Sequence, residues 1–467
     1  MKVPLFAFFL SLTWILGTAV VGATEYFLDP VGGNAGNAGT RGAPWGSLEA
    51  VAASEKAFAA GDVLILLAGH HGSPILRGSN PGVVTVRPDP GARATVVSLT
   101  IKDGRYWTVE GLEISPETGS GSDHKDLVKA NGSDLVIRGC LIYTVRDISA
   151  WTKEDWNMRA RNGVRLAGTR LLLEDNRLQN LRFAVSDSPG SSYNIVRGNL
   201  IMNFCGDGIR ALGDYGLYEG NVVKNLYRVN ANHPDAFQSW SQTAAGVGRG
   251  VVRGVTVRGN YFLSYENPEQ PFRGALQGIG CFDGFFEDWL VENNVIITNA
   301  GHGIAFYGAH NCRIINNTVA DLNPGDKAVP WIKITAHKNK TPSSGNLVRN
   351  NLTGQLFLDR GSAQADHNLK EPNARRFFPG WASGDLRLKA RSLAINAGSS
   401  DGAPAIDLLG ARRFSPGSAA CDIGAYEFGG ADPDSDPGSL PWEPRLHVPR
   451  MPETAALRLE GNENRSH

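Results

Sequence analysis

Four side chains that can do chemistry lie close together between residues 230 and 240. His233, Asp235, Gln238 and Trp240 fall within eight positions. Imidazole and carboxylate groups commonly act as acids and bases in catalysis. Amide groups bind through hydrogen bonds, and an indole ring offers a flat apolar face. The stretch therefore predicts proton-transfer chemistry beside a binding surface.

The same spacing recurs along the chain as a polar, a small, an apolar and a second polar or small residue. If the repeat marks successive turns of a solenoid, equivalent residues lie about 4.8 Å apart and form one polar strip. Its first column is predicted to hold Asn162, Asp207, Asp235, Gln277 and His302. Its second column is predicted to hold Arg165, Arg210, Gln238, Gly280 and Ala305. The columns are extended by Pro330 with Lys333, and less well by Phe183 with Ser186. Residues three apart face opposite ways on a regular strand, so the relation between the columns stays open.

A second repeat indicates which elements position the polar strip. Its core is a residue that is usually charged, then Gly, Asn or Asp, then one of Asn176, Asn199, Asn221, Asn260, Asn294, Asn317 and Asn351. The steps are 23, 22, 39, 34, 23 and 34 residues, so the basic unit is short and takes insertions. Short apolar runs divided by Gly and Asn turns predict a parallel β-helix. Asn tolerates sharp turns, so stacked coils are expected to place these amides in a ladder.

Both ends of this repeat resemble known proteins. The opening segments are Leu28–Gly33, Pro44–Leu48 and Ala60–Val63, and the closing segments are Asp385–Leu388, Ser392–Gly398 and Asp422–Glu427. They are similar to the ends of many exported members of the pectate-lyase-like superfamily of right-handed parallel β-helix proteins. The resemblance spans about residues 25 to 428 and implies an all-β solenoid. The apolar spacing of Leu48, Val51, Ala52 and Phe58 predicts a short N-terminal capping helix up to Ala60. The resemblance is specific for fold and weak for activity, because the superfamily includes lyases, hydrolases, epimerases and non-enzymes.

The resemblance and the polar strip together favour a carbohydrate-active protein with a polysaccharide substrate. The first hypothesis is β-elimination or C5 epimerisation of a uronate, which needs a base and a cation that neutralises the developing charge. The predicted catalytic groups are His233 as base, Arg210 or a Ca²⁺ held by Asp207 and Asp235 as cation, and Tyr307 or Tyr265 as acid. The predicted substrate contacts are Gln238, Trp240, Gln277, His302, Lys333 and Trp156, the last within an insertion at 147–161.

Two alternatives stay open. Asp207 and Asp235 on adjacent coils would place their carboxyl groups about 5 Å apart, nearer the separation of retaining than of inverting glycoside hydrolases. The familiar hydrolases of the superfamily invert, so geometry and resemblance disagree on this point. The other alternative is a non-catalytic glycan-binding protein, because a solenoid offers a long surface without chemistry.

Composition limits the classes of partner and compartment. The 467 residues include 46 basic and 46 acidic side chains, and zero net charge argues against a nucleic-acid binder held by bulk charge. Residues 1–23 have the pattern of a signal peptide, which predicts a secreted or periplasmic protein without stable membrane insertion. We expect a monomer, and buried cysteines rather than zinc ligands. The predicted divisions are signal peptide 1–23, cap and first coils 24–105, repeats with the site 106–370, closing segment 371–430 and disordered tail 431–467.

Overall fold

The computed structural model describes residues 23–118, 126–323, 328–381, 384–414 and 420–429. The predicted disordered tail, and the predicted signal peptide apart from its last residue, lie outside the described residues. Within these ranges no helix is both long enough and apolar enough to cross a membrane.

The described chain winds into a parallel β-helix, which confirms the predicted all-β solenoid. Each full coil adds a strand to a front, a side and a back ladder, and strands of successive coils pair in parallel. The front and side ladders form one sheet, because Ile75–Pro88 and Leu99–Glu110 run through both. Consecutive coils therefore place equivalent residues side by side.

The front ladder carries the polar strip. Its further strands are Asp126–Ser133, Asn162–Thr169, Val185–Asp187, Ile209–Ala211, Asp235–Trp240, Gln277–Asp283, His302–Tyr307, Trp331–Thr335 and Gln355–Leu358. The side ladder consists of Glu25–Leu28, Val63–Leu66, Val136–Arg138, Leu172–Glu174, Ile195–Arg197, Leu217–Glu219, Thr256–Arg258, Leu290–Glu292, Arg313–Ile315, Asn346–Arg349 and Ala363–Asp366.

The back ladder closes each coil. It consists of Gly69–His70, Ala94–Val96, Glu113–Ile114, Leu141–Tyr143, Arg177–Leu181, Leu200–Phe204, Val222–Leu226, Tyr261–Leu263, Val295–Thr298, Thr318–Asp321, Leu352–Thr353 and Leu369–Lys370. A smaller parallel sheet joins Val251–Arg253, Phe285–Glu287 and Ala309–His310, and Gln242–Thr243 pairs with Gly246–Val247 in antiparallel fashion.

The core is a stack of apolar side chains inside the coils. In the front ladder one inward column holds Val164, Val185, Ile209, Phe237, Ile279, Ile304 and Ile332, all buried. Because side chains alternate across a strand, the residues that follow this column point outwards and form the second column of the polar strip. All five cysteines are buried, which confirms the predicted burial, and none forms a disulfide, a point that the sequence left open.

The predicted asparagine ladder is confirmed and extends to Asn368. In each step the side-chain amide of one coil donates to the amide oxygen of the next at 2.9–3.0 Å. The same oxygen accepts the backbone N–H of the preceding asparagine at 3.0–3.1 Å. Each amide thus satisfies buried polar groups of two coils at once.

A ladder of alternating charge runs beside the asparagines. In register order it holds Glu110, Arg138, Glu174, Arg197, Glu219, Arg258, Glu292, Ile315, Arg349 and Asp366. Neighbouring members form ion pairs, for example Arg197 Nε with Glu174 Oε1 at 2.6 Å and Arg258 Nη2 with Glu219 Oε2 at 2.7 Å. Shifting one coil by one strand residue would break these pairs, so the charges reinforce the register.

The capping helix is shorter than predicted. It covers Leu48–Ala53 and ends at Ser54, whereas the sequence suggested a helix up to Ala60. Glu55 has a φ of 50°, a left-handed conformation that cannot continue a right-handed helix. A second helix, Lys153–Arg159, lies within the insertion at 147–161.

The closing segment lies along the outside of the back ladder. It contains the 3₁₀ turn Ala374–Phe377 and the antiparallel pair of Gly398–Ser399 with Ala420–Cys421. Its apolar side chains form a cluster with back-ladder residues such as Val295. The buried Arg413 donates to Asn293 Oδ1 at 2.6 Å and so ties the segment to a coil turn.

We expect Asn260→Ala to destabilise the protein by about 2–4 kcal/mol, because it orphans buried donors and acceptors on both neighbouring coils. Denaturant unfolding followed by circular dichroism measures the change. Asn368→Ala is the matched control at the end of the ladder, where the side chain serves one asparagine neighbour, and should cost less. Equal losses for both variants would contradict a cooperative ladder.

Candidate functional site

Strand register confirms the predicted second column and one pair of the predicted first column. In order along the second column, pairing brings together Arg165, Ser186, Arg210, Gln238, Gly280, Ala305 and Lys333. In the first column Asp235 pairs with Gln277. A bulge places Trp331, rather than Pro330, opposite His302, which corrects the predicted end of that column.

The two columns, whose relation the sequence left open, share one face. Arg210 Nε donates to Asp207 Oδ2 at 2.7 Å, and Gln238 Nε2 donates to Asp235 Oδ2 at 2.8 Å. Asp207 lies before the strand Ile209–Ala211, in the turn that leads into it. The contact between Asp207 and Arg210 therefore crosses this turn and does not lie along a regular strand. Residues three apart therefore meet, and the polar strip is one surface.

The paired carboxyl groups of Asp207 and Asp235 lie almost completely inside this surface, with exposed fractions of 4% and 0%. The Asp235 N–H donates to Asp207 Oδ1 at 3.1 Å. Burial raises the pKa of Asp207, and the Arg210 guanidinium opposes that rise. Burial raises the pKa of Asp235 well above its ordinary value, and the Asp207 carboxylate raises it further. Asp235 therefore holds a proton more readily than a surface aspartate does.

Asp235 also has a carboxyl oxygen, Oδ1, without a hydrogen-bond partner among the described residues. This oxygen lies against Gly280, where a Cβ atom would come within 2.3 Å of it and within 2.5 Å of Phe282 Cε2. A larger residue at position 280 would displace the carboxyl or the ring. The glycine in the second column therefore makes room for the buried acid of the neighbouring coil.

Arg210 is fixed by contacts on several sides. Its guanidinium carbon lies 3.4 Å from the ring centroid of Phe183 and 5.4 Å from that of Trp240, while Asp207 holds Nε. The two terminal nitrogens have no partner within the described ranges, and the side chain is partly exposed. A guanidinium held in this way is prepared to bind an anion through its terminal nitrogens.

A second group of reactive side chains lies at the downstream end of the strip. The His302 ring lies 4.4 Å from the Trp331 ring and 5.5 Å from the Phe282 ring, centroid to centroid. Burial lowers the pKa of the His302 imidazole, and the Lys333 ammonium and His233 lower it further. The Lys333 ammonium lies 5.5 Å from the Tyr307 ring centroid and forms no ion pair with any described residue. The His302 imidazole and the Lys333 ammonium therefore both lie near the Trp331 ring, the ammonium 5.7 Å from its centroid.

Aromatic rings line the strip, and sequence reasoning named Trp240 and Tyr307 but missed Phe282. Trp240, Phe282 and Tyr307 each follow a first-column residue by five positions on successive coils. Phe282 lies edge-on to Tyr307, with ring centroids 5.4 Å apart. The constant offset of five was visible in the sequence. Gln277, predicted to contact substrate, is partly exposed between Asp235 and His302 in the first column.

The surroundings of His233 do not match those expected of the catalytic base that the sequence predicted. Its side chain is exposed, and no hydrogen bond joins it to Asp235 among the described residues. It lies close enough to His302 to lower the pKa of that imidazole. His302, which the sequence suggested as a substrate contact, is the more enclosed imidazole and has the lowered pKa of a base that is neutral at physiological pH.

Two predicted residues lie outside the strip. The structure does not support a substrate contact by Trp156, because the side chain is fully buried and stacks on Tyr227 with ring centroids 4.7 Å apart. Trp156 packs with Trp151 beneath the second helix. The aromatic side chains of this insertion therefore form a small apolar core. Tyr265, one of the two predicted acids, is buried and its hydroxyl accepts from Asn323 Nδ2 at 2.9 Å.

The predicted Ca²⁺ ligands do not fit the ion. Calcium takes six to eight oxygen ligands, but both oxygens of Asp207 and one of Asp235 already accept hydrogen bonds within the strip. Arg210 already supplies the positive charge beside Asp207. The part of the chain that the structure describes holds no cluster of three or more His, Cys, Asp or Glu suited to a metal. We derive no step through calcium.

Comparison with known proteins identifies the fold. A family model for a right-handed β-helix region matches residues 190–369. The solved structure of pectate lyase Pel9A is similar with a TM-score of 0.54 and 16% identity, covering 87% of this chain and 98% of that chain. A rhamnogalacturonan lyase has a TM-score of 0.44 and 15% identity, covering 74% of this chain and 87% of its own.

The polysaccharide lyase Pedsa3628 from Pseudopedobacter saltans has a TM-score of 0.40 and 13% identity, covering 74% of this chain and 96% of its own. No curated protein matches the sequence. At these identities the likeness shows the fold alone. The predicted right-handed parallel β-helix is thereby confirmed.

We expect Asp235→Asn to stabilise the fold at neutral and higher pH. The raised pKa of Asp235 means that the folded protein binds this proton more tightly than the unfolded chain does. Stability then falls as the pH rises from about 4 through the folded-state pKa, and the amide removes that loss. The gain should reach about 1 kcal/mol or more and vanish in acid.

Thermal unfolding over a pH series measures this gain. Asp283→Asn is the matched control, because Asp283 is exposed and paired with Lys338. A gain for Asp235→Asn that stays constant with pH would contradict a buried, proton-binding carboxyl group.

Proposed function

We propose that this chain, a right-handed parallel β-helix protein of the pectate-lyase-like type, is an exported enzyme that removes the C5 proton of a uronate in an acidic polysaccharide. The outcome is β-elimination or C5 epimerisation. One observation carries the proposal: the enclosed imidazole of His302 stands beside the unpaired ammonium of Lys333 on an outward strip lined by aromatic rings.

Proton removal next to a carboxylate requires both members of that pair. The C5–H bond is a weak acid, because the carbanion adds charge to an adjacent carboxylate. Lys333 neutralises this carboxylate, and His302 accepts the proton in its neutral form. The lowered pKa of His302 keeps that neutral form populated at physiological pH. Aromatic rings such as Trp331 pack on the apolar faces of the sugars.

The electrons of the C5–H bond leave by one of two routes. In elimination they form the C4–C5 double bond, the C4–O bond breaks, and Tyr307 donates its proton to the leaving oxygen. In epimerisation Tyr307 returns a proton to C5 from the opposite face. Tyr307 suits both roles because its ring lies in the strip, with the Lys333 ammonium 5.5 Å from the ring centroid.

Glycoside hydrolysis by Asp207 and Asp235 is less well supported. Both carboxyl groups are buried, and their oxygens mostly accept hydrogen bonds from Arg210, Gln238 and the backbone. A nucleophile or general acid must reach the scissile bond directly. We assign the two aspartates instead to positioning Arg210 and Gln238. The other alternative is a glycan-binding protein without catalytic activity. Product analysis distinguishes this alternative from an enzyme.

We expect His302→Gln to lower the rate of uronate elimination or epimerisation by about 10²–10⁴-fold, because the base is lost. A panel of pectate, alginate and glycosaminoglycans is digested, and unsaturated product is read by ultraviolet absorbance, epimerisation by proton NMR. His310→Gln, on a different face against Phe285, is the matched control and should retain activity.

Three results would overturn this assignment. Reducing ends without ultraviolet absorbance would indicate hydrolysis by wild-type protein. The absence of any product would favour the non-catalytic alternative. If His233→Gln lost as much activity as His302→Gln, the catalytic base would be His233 instead of His302.

We expect Lys333→Met to move the acid limb of the kcat/KM profile to higher pH. His302 has a pKa below its ordinary value of about 6.5, so the wild-type limb lies below that pH. Removing the ammonium raises the imidazole pKa, so the base becomes protonated at higher pH. Lys338→Met is the matched control, since Lys338 pairs with Asp283. If activity is too low, imidazole NMR titration reports the same shift. An unmoved pKa would contradict the assigned coupling.

A further inference from the structure

Three cations of the second column, Arg165, Arg210 and Lys333, are separated from one another by even numbers of coil spacings. Arg165 and Arg210 are separated by the coil of Ser186, so they lie two strand spacings apart, roughly 10 Å. Lys333 follows Arg210 after the coils of Gln238, Gly280 and Ala305, which is four spacings. An anion bound by each cation would therefore fall on every second coil.

Within the second column, the coils between the two arginines and after Arg210 carry uncharged side chains. Arg182, on the coil of Ser186, lies outside this column, with its guanidinium carbon 5.0 Å from the Phe183 ring centroid. Ser186 stands between the arginines, with the Phe183 ring beside it. Gln238 and Trp240 occupy the next coil, where the acid Asp235 is buried. These positions suit hydroxyl groups and the apolar faces of sugars better than charges.

Both arginines are held in the same way. Arg165 Nε donates to Asp126 Oδ2 at 2.9 Å, just as Arg210 Nε donates to Asp207 Oδ2 at 2.7 Å. The terminal nitrogens of each have no partner among the residues described. A guanidinium fixed through Nε can bind a carboxylate with its terminal nitrogens at a defined place. The two arginines are thus repeated anion-binding positions rather than diffuse charge.

We propose that the strip selects a polysaccharide in which uronic acids alternate with neutral sugars; this inference rests on the proposed function. One sugar residue of an extended chain is close in length to one coil spacing. A glycan lying along the strip therefore places successive sugars on successive coils. Carboxylates on every second sugar meet Arg165, Arg210 and Lys333, while the neutral sugars lie on the coils of Ser186, Gln238 and Ala305.

Lys129 provides an internal control for this register. It pairs with Arg165 on the coil immediately before it, so it lies one spacing out of the alternating series. If charge alone governed binding, Lys129 and Arg210 would contribute similarly. If the register governs binding, Arg210 contributes to an alternating glycan and Lys129 does not.

The test uses the full chain carrying His302→Gln, which binds without turnover. Calorimetry compares an alternating uronate–neutral octasaccharide, such as unsulfated chondroitin, with oligogalacturonate and oligomannuronate of equal length. We expect at least about tenfold tighter binding of the alternating glycan, although it carries half the charge. Adding Arg210→Gln should weaken that binding about tenfold or more, whereas adding Lys129→Gln should change it less than about twofold.

Tighter binding of either homopolymer, equal effects of Arg210→Gln and Lys129→Gln, or binding of neither class would overturn the inference. Wild-type digestion separates it from the proposed function. Preferential binding of the alternating glycan without unsaturated or epimerised product would refute the enzyme but support the selectivity. Cleavage of homopolymers without a preference in binding would refute the selectivity alone.

Discussion

The amide ladder that runs from Asn176 to Asn368 is the interaction on which the rest of the structure depends. Each amide binds its own turn and the amide of the next coil, so every coil is held at one height and one register relative to its neighbours. A slip of one residue would turn the inward column of the front ladder outwards. The columns of the polar strip exist because this slip is prevented twice, by the amides and by the alternating charges beside them.

The strip itself works against stability. Asp207 and Asp235 are buried side by side, and one oxygen of Asp235 has no partner among the described residues. Burying charge in this way is costly, and perturbed pKa values of this kind concentrate at functional sites. The apolar stack behind the strip, from Val164 to Ile332, offsets the cost. The two aspartates hold the side chains of Arg210 and Gln238 in place on the outward face.

Much of the fold and the order of the strip could be predicted, because coil periodicity is written directly in the sequence. Spacing alone placed Arg210, Gln238 and Lys333 in one column. The alternating charges from Glu110 to Asp366 were equally visible in the sequence, as was the offset of five that marks Phe282. Apolar spacing could not predict that the capping helix ends at Ser54, because the end follows from the left-handed backbone conformation of Glu55.

Roles that depend on burial could not be read from residue type. His233 and His302 are both histidines near the strip, but only packing against Trp331 and Phe282 distinguishes the enclosed imidazole from the exposed one. Trp156 looked like a sugar platform and instead fills a small core. Two carboxylates suggested calcium, but the hydrogen bonds they accept were not apparent from spacing.

Hydrogen exchange at the uronate C5 position shows whether the protein removes this proton. An acidic polysaccharide that the protein binds is incubated with wild type and with His302→Gln in D₂O, and C5 deuterium is followed by NMR in substrate and product. With wild type alone, we expect deuterium at C5 of epimerised residues or loss of the C5 proton in unsaturated product. Chain cleavage by wild type with every C5 proton retained would contradict it.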